Sequence, residues 1–84
     1  MKSQKIFEEL NEIVQSLGYK IRKDTGNFKS NNCILKEEKI IILNKYTGIE
    51  GYNATLARAI YDSNYEGIFL KPAIREYIEQ VVNT

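Results

Sequence analysis

Asn31-Asn32-Cys33-Ile34-Leu35-Lys36-Glu37-Glu38-Lys39-Ile40-Ile41-Ile42-Leu43-Asn44 is the densest β-branched and apolar stretch in the chain, and it carries its own reversal. Cys33 to Leu35 and Ile40 to Leu43 are strand-forming residues, whereas Lys36 to Lys39 is a charged tetrad that leaves water only at heavy cost. The stretch therefore reads as a β-hairpin with the charges at the turn. With Glu37 and Glu38 at the tip, Leu35 faces Ile40 and Cys33 faces Ile42. These four then share one face, with Ile34 and Ile41 on the other. No Asn-Gly or Asp-Gly marks a two-residue turn, and Lys36 would oppose Lys39, so a slightly longer loop is the alternative.

Working outward, the 84 residues make one domain, residues 1–84, small enough that one layer of helices on one sheet is the expected solution. A hydrophobic content of 43% against 27% charged residues excludes a disordered or collagen-like chain. Twelve Lys and Arg stand against eleven Asp and Glu, and the signs mix along the whole length. That balance disfavours nucleic acid as a partner, since a binder usually concentrates cations in a footprint. A lone cysteine makes no internal disulfide; Cys33, at an apolar strand position, is expected to be a buried thiol in a cytoplasmic protein. Met1 to Leu10 carries acidic residues where a signal peptide needs an apolar core, and no run approaches bilayer length, so no membrane is expected.

Upstream, Ile6, Phe7, Leu10, Ile13, Val14 and Leu17 fall at helical spacing, with Ser3 placed to cap the start and Gly18 the end, where Tyr19 folds back. Tyr19-Lys20-Ile21-Arg22-Lys23 alternates apolar and basic residues, as an edge strand does. Asp24-Thr25-Gly26-Asn27 is turn chemistry, and Phe28 restarts a strand. Downstream, Lys45 to Tyr52 reads as a loop by its glycines. A helix follows through Leu56, Ala57, Ile60 and Tyr61, begun either by Asn53 or, if longer, by Thr47, and ending near Asn64. Glu66 to Leu70 adds an optional strand, and Pro72 opens a last helix whose stripe is Ile74, Tyr77, Ile78, Val81 and Val82.

The expected architecture is thus α+β, in the order α-β-β-β-α-(β)-α, with a small, mainly antiparallel sheet centred on the 33–43 hairpin and packed against helices. Its expected core is Ile6, Leu10, Ile13, Val14, Leu17, Leu35, Ile40, Ile42, Leu56, Ile60, Ile68, Leu70, Ile74 and Ile78.

Histidine is absent, which excludes catalytic triads, imidazole acid-base pairs and the usual zinc sites. Gly48-Ile49-Glu50-Gly51 sits where a phosphate loop would, but it lacks a following Gly-Lys-Ser/Thr and Glu50 would repel an anion, so it reads as a connector. Glu8-Glu9 and Glu37-Glu38 are adjacent carboxylates that diverge or face solvent. No catalytic residue, cofactor or metal is expected, and the chain reads as no enzyme. Lys20, Arg22 and Lys23, beside Lys29 or Lys36, are the best candidates for a basic strip. A protein partner, or a second copy, suits better the amphipathic and hydrogen-bonding residues Asn44, Lys45, Tyr46, Tyr52, Arg58, Tyr61 and Arg75, because Tyr and Arg most often dominate interface energies.

From Cys33-x-Leu35 through Ile40-Ile41-Ile42-Leu43-Asn44-Lys45, then Leu56-Ala57-Arg58-Ala59-Ile60 and Ile68-Phe69-Leu70-Lys71-Pro72-Ala73-Ile74-Arg75-Glu76, the chain resembles a family of small uncharacterised bacterial proteins. The resemblance implies a compact cytoplasmic domain with no assigned activity. The layout of strand, Asn and helix is also similar to IrrE/ImmA-type zinc metallopeptidases, whose helix carries His-Glu-x-x-His after a Leu-Ala pair. Here Leu56-Ala57 is followed by Arg58-Ala59-Ile60-Tyr61-Asp62, so that resemblance implies a domain without metal or proteolysis. Protein purified without a tag should carry no stoichiometric zinc by elemental analysis; one tightly held zinc per chain would contradict this.

Overall fold

The computed structural model describes residues 1–24, 32–63, 65 and 67–83. Within them the elements run α1 (Ser3–Ser16), β1 (Lys20–Asp24), β2 (Cys33–Leu35), β3 (Ile40–Asn44), a 3-10 turn (Lys45–Thr47), α2 (Gly48–Asp62) and α3 (Pro72–Val82). The fold is α+β, as the sequence implies. Its three strands lie in the order β1-β3-β2, with β2 antiparallel to β3 and β1 parallel to it, so the sheet is mixed rather than mainly antiparallel. Thr25 to Asn27 of the expected turn, the strand restart at Phe28, and Lys29, Asn31, Asn64 and Glu66 lie outside the described residues. Gly67 to Leu70 forms no strand.

The hairpin has the expected register, Cys33 opposite Ile42, Ile34 opposite Ile41 and Leu35 opposite Ile40. Its turn is the longer of the two alternatives. Lys36 to Lys39 form a four-residue loop in which the Lys36 carbonyl accepts from the Lys39 amide at 3.3 Å and Lys39 takes φ 58°. The two lysines avoid each other: Lys36 reaches Asp62 at the end of α2 (3.5 Å), while Lys39 donates to the Leu17 carbonyl (3.3 Å) and lies 4.9 Å over the Tyr19 ring.

The face that enters the core is the opposite of the one expected. Ile41 and Leu43 are fully buried and Ile34 packs against them, whereas Leu35, Ile40 and Ile42 stay outside the core cluster. Cys33 is likewise exposed rather than buried. The cause is β1, where Ile21 pairs with Ile41 while Lys20 and Arg22 pair with Ile40 and Ile42. Side chains alternate across a strand, so covering Ile40 and Ile42 would also have buried two cations. The helices cover the face on which Ile21, Ile34, Ile41 and Leu43 meet.

Helix α1 begins after Lys2 rather than at a Ser3 cap; Ser3 lies in its first turn and its hydroxyl donates to Glu50 of α2. Its end follows expectation. Gly18 takes φ 93° and donates to the Gln15 carbonyl (3.0 Å), and Tyr19 donates to Val14 (3.0 Å), which is a complete Schellman cap with Tyr19 buried behind it. Pro72 opens α3. Leu10, Val14, Leu56, Ile60, Leu70, Ile74 and Ile78 are buried as expected, together with Tyr19, Ala57 and Ala59. Ile6, Ile13, Leu17 and Ile68 pack around them half-buried. Glu9 of α1 accepts from Lys71 ahead of α3 at 2.8 Å and lies 3.6 Å from Lys5. The Lys71 hydrogen bond, and then the charges of Lys71 and Lys5, outweigh desolvation and hold the Glu9 carboxyl below its ordinary range.

The face assignment has a direct test. Ile41→Ala should cost about 3–4 kcal/mol in urea unfolding, by lost burial plus a cavity, and Ile42→Ala only about 1 kcal/mol. Equal costs would mean that the buried face is wrongly assigned.

Candidate functional site

The residues of the expected binding surface divide into groups. Asn44, Lys45 and Tyr46 sit on the 3-10 turn that leaves β3, Arg58 and Tyr61 one turn apart on α2, and Arg75 on α3. Eleven residues of chain separate Tyr46 from Arg58, most of them helical, so the first two groups stand on the order of 15 Å apart along α2. Tyr52 belongs with neither group. Its ring lies 6.1 Å from that of Phe7 on α1, with the Lys23 ammonium 5.7 Å from it and 5.9 Å from Phe7, so it joins α1, α2 and β1. Among the described residues Arg58 reaches no carboxylate; its guanidinium makes a long contact, 3.5 Å, with the Val81 carbonyl in the last turn of α3. A cation there faces the negative end of the helix dipole.

The 3-10 turn is the most firmly built of these places, and the residue that builds it is Asn32, which the sequence reading passed over. The Asn32 Oδ1 accepts from the Asn44 amide at 2.6 Å and from the Thr47 hydroxyl at 3.3 Å, while its Nδ2 donates to the Gly51 carbonyl at 3.1 Å and to Thr55 Oγ1 at 2.9 Å. One amide thus joins the start of β2, the end of β3, the turn and the first two turns of α2. Within the turn, Asn44 Oδ1 accepts from the Tyr46 amide at 2.9 Å, and the Asn44 carbonyl, 2.9 Å from the Thr47 hydroxyl, shares its one proton with Asn32 Oδ1. Held this way, the turn presents Tyr46 78% exposed, with Lys45 exposed beside it.

Gly48 to Gly51, expected as a connector, is the first turn of α2, so the longer of the two helix alternatives is the one adopted. Gly51 is needed within it because a Cβ there would stand 2.8 Å from Thr47 Cβ and 2.9 Å from its Oγ1. Asn53, the other proposed start, is a buried residue of the helix interior that donates to the Ser3 carbonyl at 3.0 Å. Glu50 occupies the helix start where an anion would bind, and burial followed by the Glu50 charge pushes the Tyr77 phenol up.

On β1 alternation divides the basic strip, with Lys20 and Arg22 on the uncovered sheet face and Lys23 among the rings on the covered one. Among the described residues no group of three or more His, Cys, Asp and Glu is placed to hold a metal, and no helix is long and apolar enough to cross a membrane. Comparison with protein-family models, curated proteins and solved structures finds no match to this chain.

Asn32→Ala removes every bond of the linking amide and should lower stability by about 2 kcal/mol in urea unfolding, with the Asn44 amide exchanging faster than in the wild type. Unchanged stability would show that the four elements hold together without it.

Proposed function

We propose that this chain is a cytoplasmic, non-enzymatic module that binds another protein, with Tyr46 and Lys45 on the 3-10 turn as the centre of its contact surface and Arg58, Tyr61 and Arg75 as a second group. The observation that carries the reading is the exposure of Tyr46 on a turn braced by Asn32, Asn44 and Thr47. A tyrosine offers a large contact area with a polar tip, and a rigid mount lowers the ordering cost of using it. The absence of histidine favours binding over catalysis.

Affinity capture from native cytosol, comparing the wild type with Tyr46→Ala, Arg58→Ala and Tyr61→Ala, tests the reading. The wild type should recover a defined partner, and Tyr46→Ala should weaken that complex by about 2 kcal/mol, roughly thirty-fold in Kd, without loss of stability. If the variants recover the same proteins equally well, or the wild type recovers none and sediments as a monomer, this surface is ordinary.

A further inference from the structure

The outer edge of β1 shares none of the contact residues just named. In its parallel pairing with β3, Lys20 donates to the Lys39 carbonyl at 2.8 Å, and the register runs Lys20 to Ile40 through Asp24 to Asn44. A parallel ladder uses alternate residues, so Lys20, Arg22 and Asp24 turn their amides and carbonyls toward β3, and those of Ile21 and Lys23 point away from the sheet. Among the described residues no strand pairs with that side. Alongside it, between the end of α1 and β1, lies an open cleft of about 440 Å³ lined by Gln15, Gly18, Tyr19, Lys20 and Ile21.

We propose that this edge receives an extended segment of a partner protein as an added strand, and that the segment alternates small apolar with acidic residues. The alternation follows from the two sides of the edge. On the covered side the cleft, with Tyr19 and Ile21 in its wall, takes an apolar side chain. On the uncovered side Lys20 and Arg22 face the next residue, and a carboxylate there pairs with them. A second copy offers these cations fewer carboxylates than an acidic segment does. The antiparallel self-pairing that uses Ile21 and Lys23 reciprocally is centred on Arg22: it sets Lys20 opposite Asp24 on either side but Arg22 against Arg22, whereas an acidic strand places a carboxylate against each cation. Three of the five β1 residues are cationic, and Lys39 adds a fourth charge beside Tyr19.

The test titrates the full chain, labelled with nitrogen-15, with a blocked peptide of about eight residues alternating glutamate and valine. Two controls accompany it: the same peptide N-methylated throughout, which keeps the charge and lacks amide donors, and a lysine-valine counterpart. The acidic peptide should shift the Ile21 and Lys23 amides most and slow their hydrogen exchange, while neither control does so. Lys23→Pro, which removes one outward amide and leaves the bonds to β3 in place, should weaken binding at least ten-fold, as should Lys20→Glu with Arg22→Glu. If Lys23→Pro fails to fold, the comparison of plain with N-methylated peptide on the wild type decides alone. Equal binding of the N-methylated peptide, no response at millimolar peptide, or largest shifts away from β1 would overturn the proposal. So would a dimer whose Ile21 and Lys23 amides are already protected before peptide is added, since the occupant would then be a second copy.

Discussion

A strand that alternates isoleucine with cations has one face that can leave water, and in this chain that constraint decides which side of the sheet becomes the core. Ile21 between Lys20 and Arg22 commits β1, and the parallel register then commits β3, because Ile41 lies beside Ile21. The hairpin by itself is nearly indifferent: Ile40, Ile41, Ile42 and Leu43 are apolar in succession, and either face would suit a helix layer. Transferring unpaired ammonium and guanidinium groups into the interior costs far more than the difference between burying Ile41 and burying Ile42. The less hydrophobic strand therefore orients the more hydrophobic one.

The second organising contact is polar. A sheet with one covered face and three strands holds its helices by apolar packing that is largely non-directional, so something must set where α2 leaves the end of β3. The Asn32 side chain does this, since its oxygen serves the β3 end and the turn while its nitrogen serves α2. Gly51 and Thr47 close the arrangement by letting the helix start lie against the turn at a distance no side chain on Gly51 would permit.

Much of this was legible in the residues. The hairpin register followed from the charged tetrad and the apolar runs on either side. The Schellman cap followed from Leu17-Gly18-Tyr19, and the α3 start from Pro72. These features are local, with partners a few positions apart. The buried face was not legible from the hairpin, because it depends on a pairing between strands twenty residues apart. Asn32 escaped notice for a related reason: an Asn in a polar run reads as turn filler, and its partners Gly51 and Thr55 lie one helical turn apart in a distant segment. A Gly-x-x-x-Thr step at a helix start is a faint trace of such a partner. Of the candidate surface, composition pointed to Tyr46 and Arg58, but only the coordinates separate them from Tyr52, which braces the interior.

The parallel ladder between β1 and β3 also separates the local contacts of the chain from the distant ones. The hairpin closes through a four-residue turn and needs almost no search, and α2 begins within four residues of its end, so β2, β3 and α2 form a unit of short contacts. Strand β1 pairs only with residues twenty positions away, and each of its bonds waits on closing that longer loop. Because the Leu17-Gly18-Tyr19 reversal joins β1 directly to α1, the closure that pairs β1 with β3 also brings the helix to the sheet. The first 24 residues therefore carry the entropic cost of the longer loop, and a truncation that spares the hairpin but removes them uncovers part of Ile41 and Leu43.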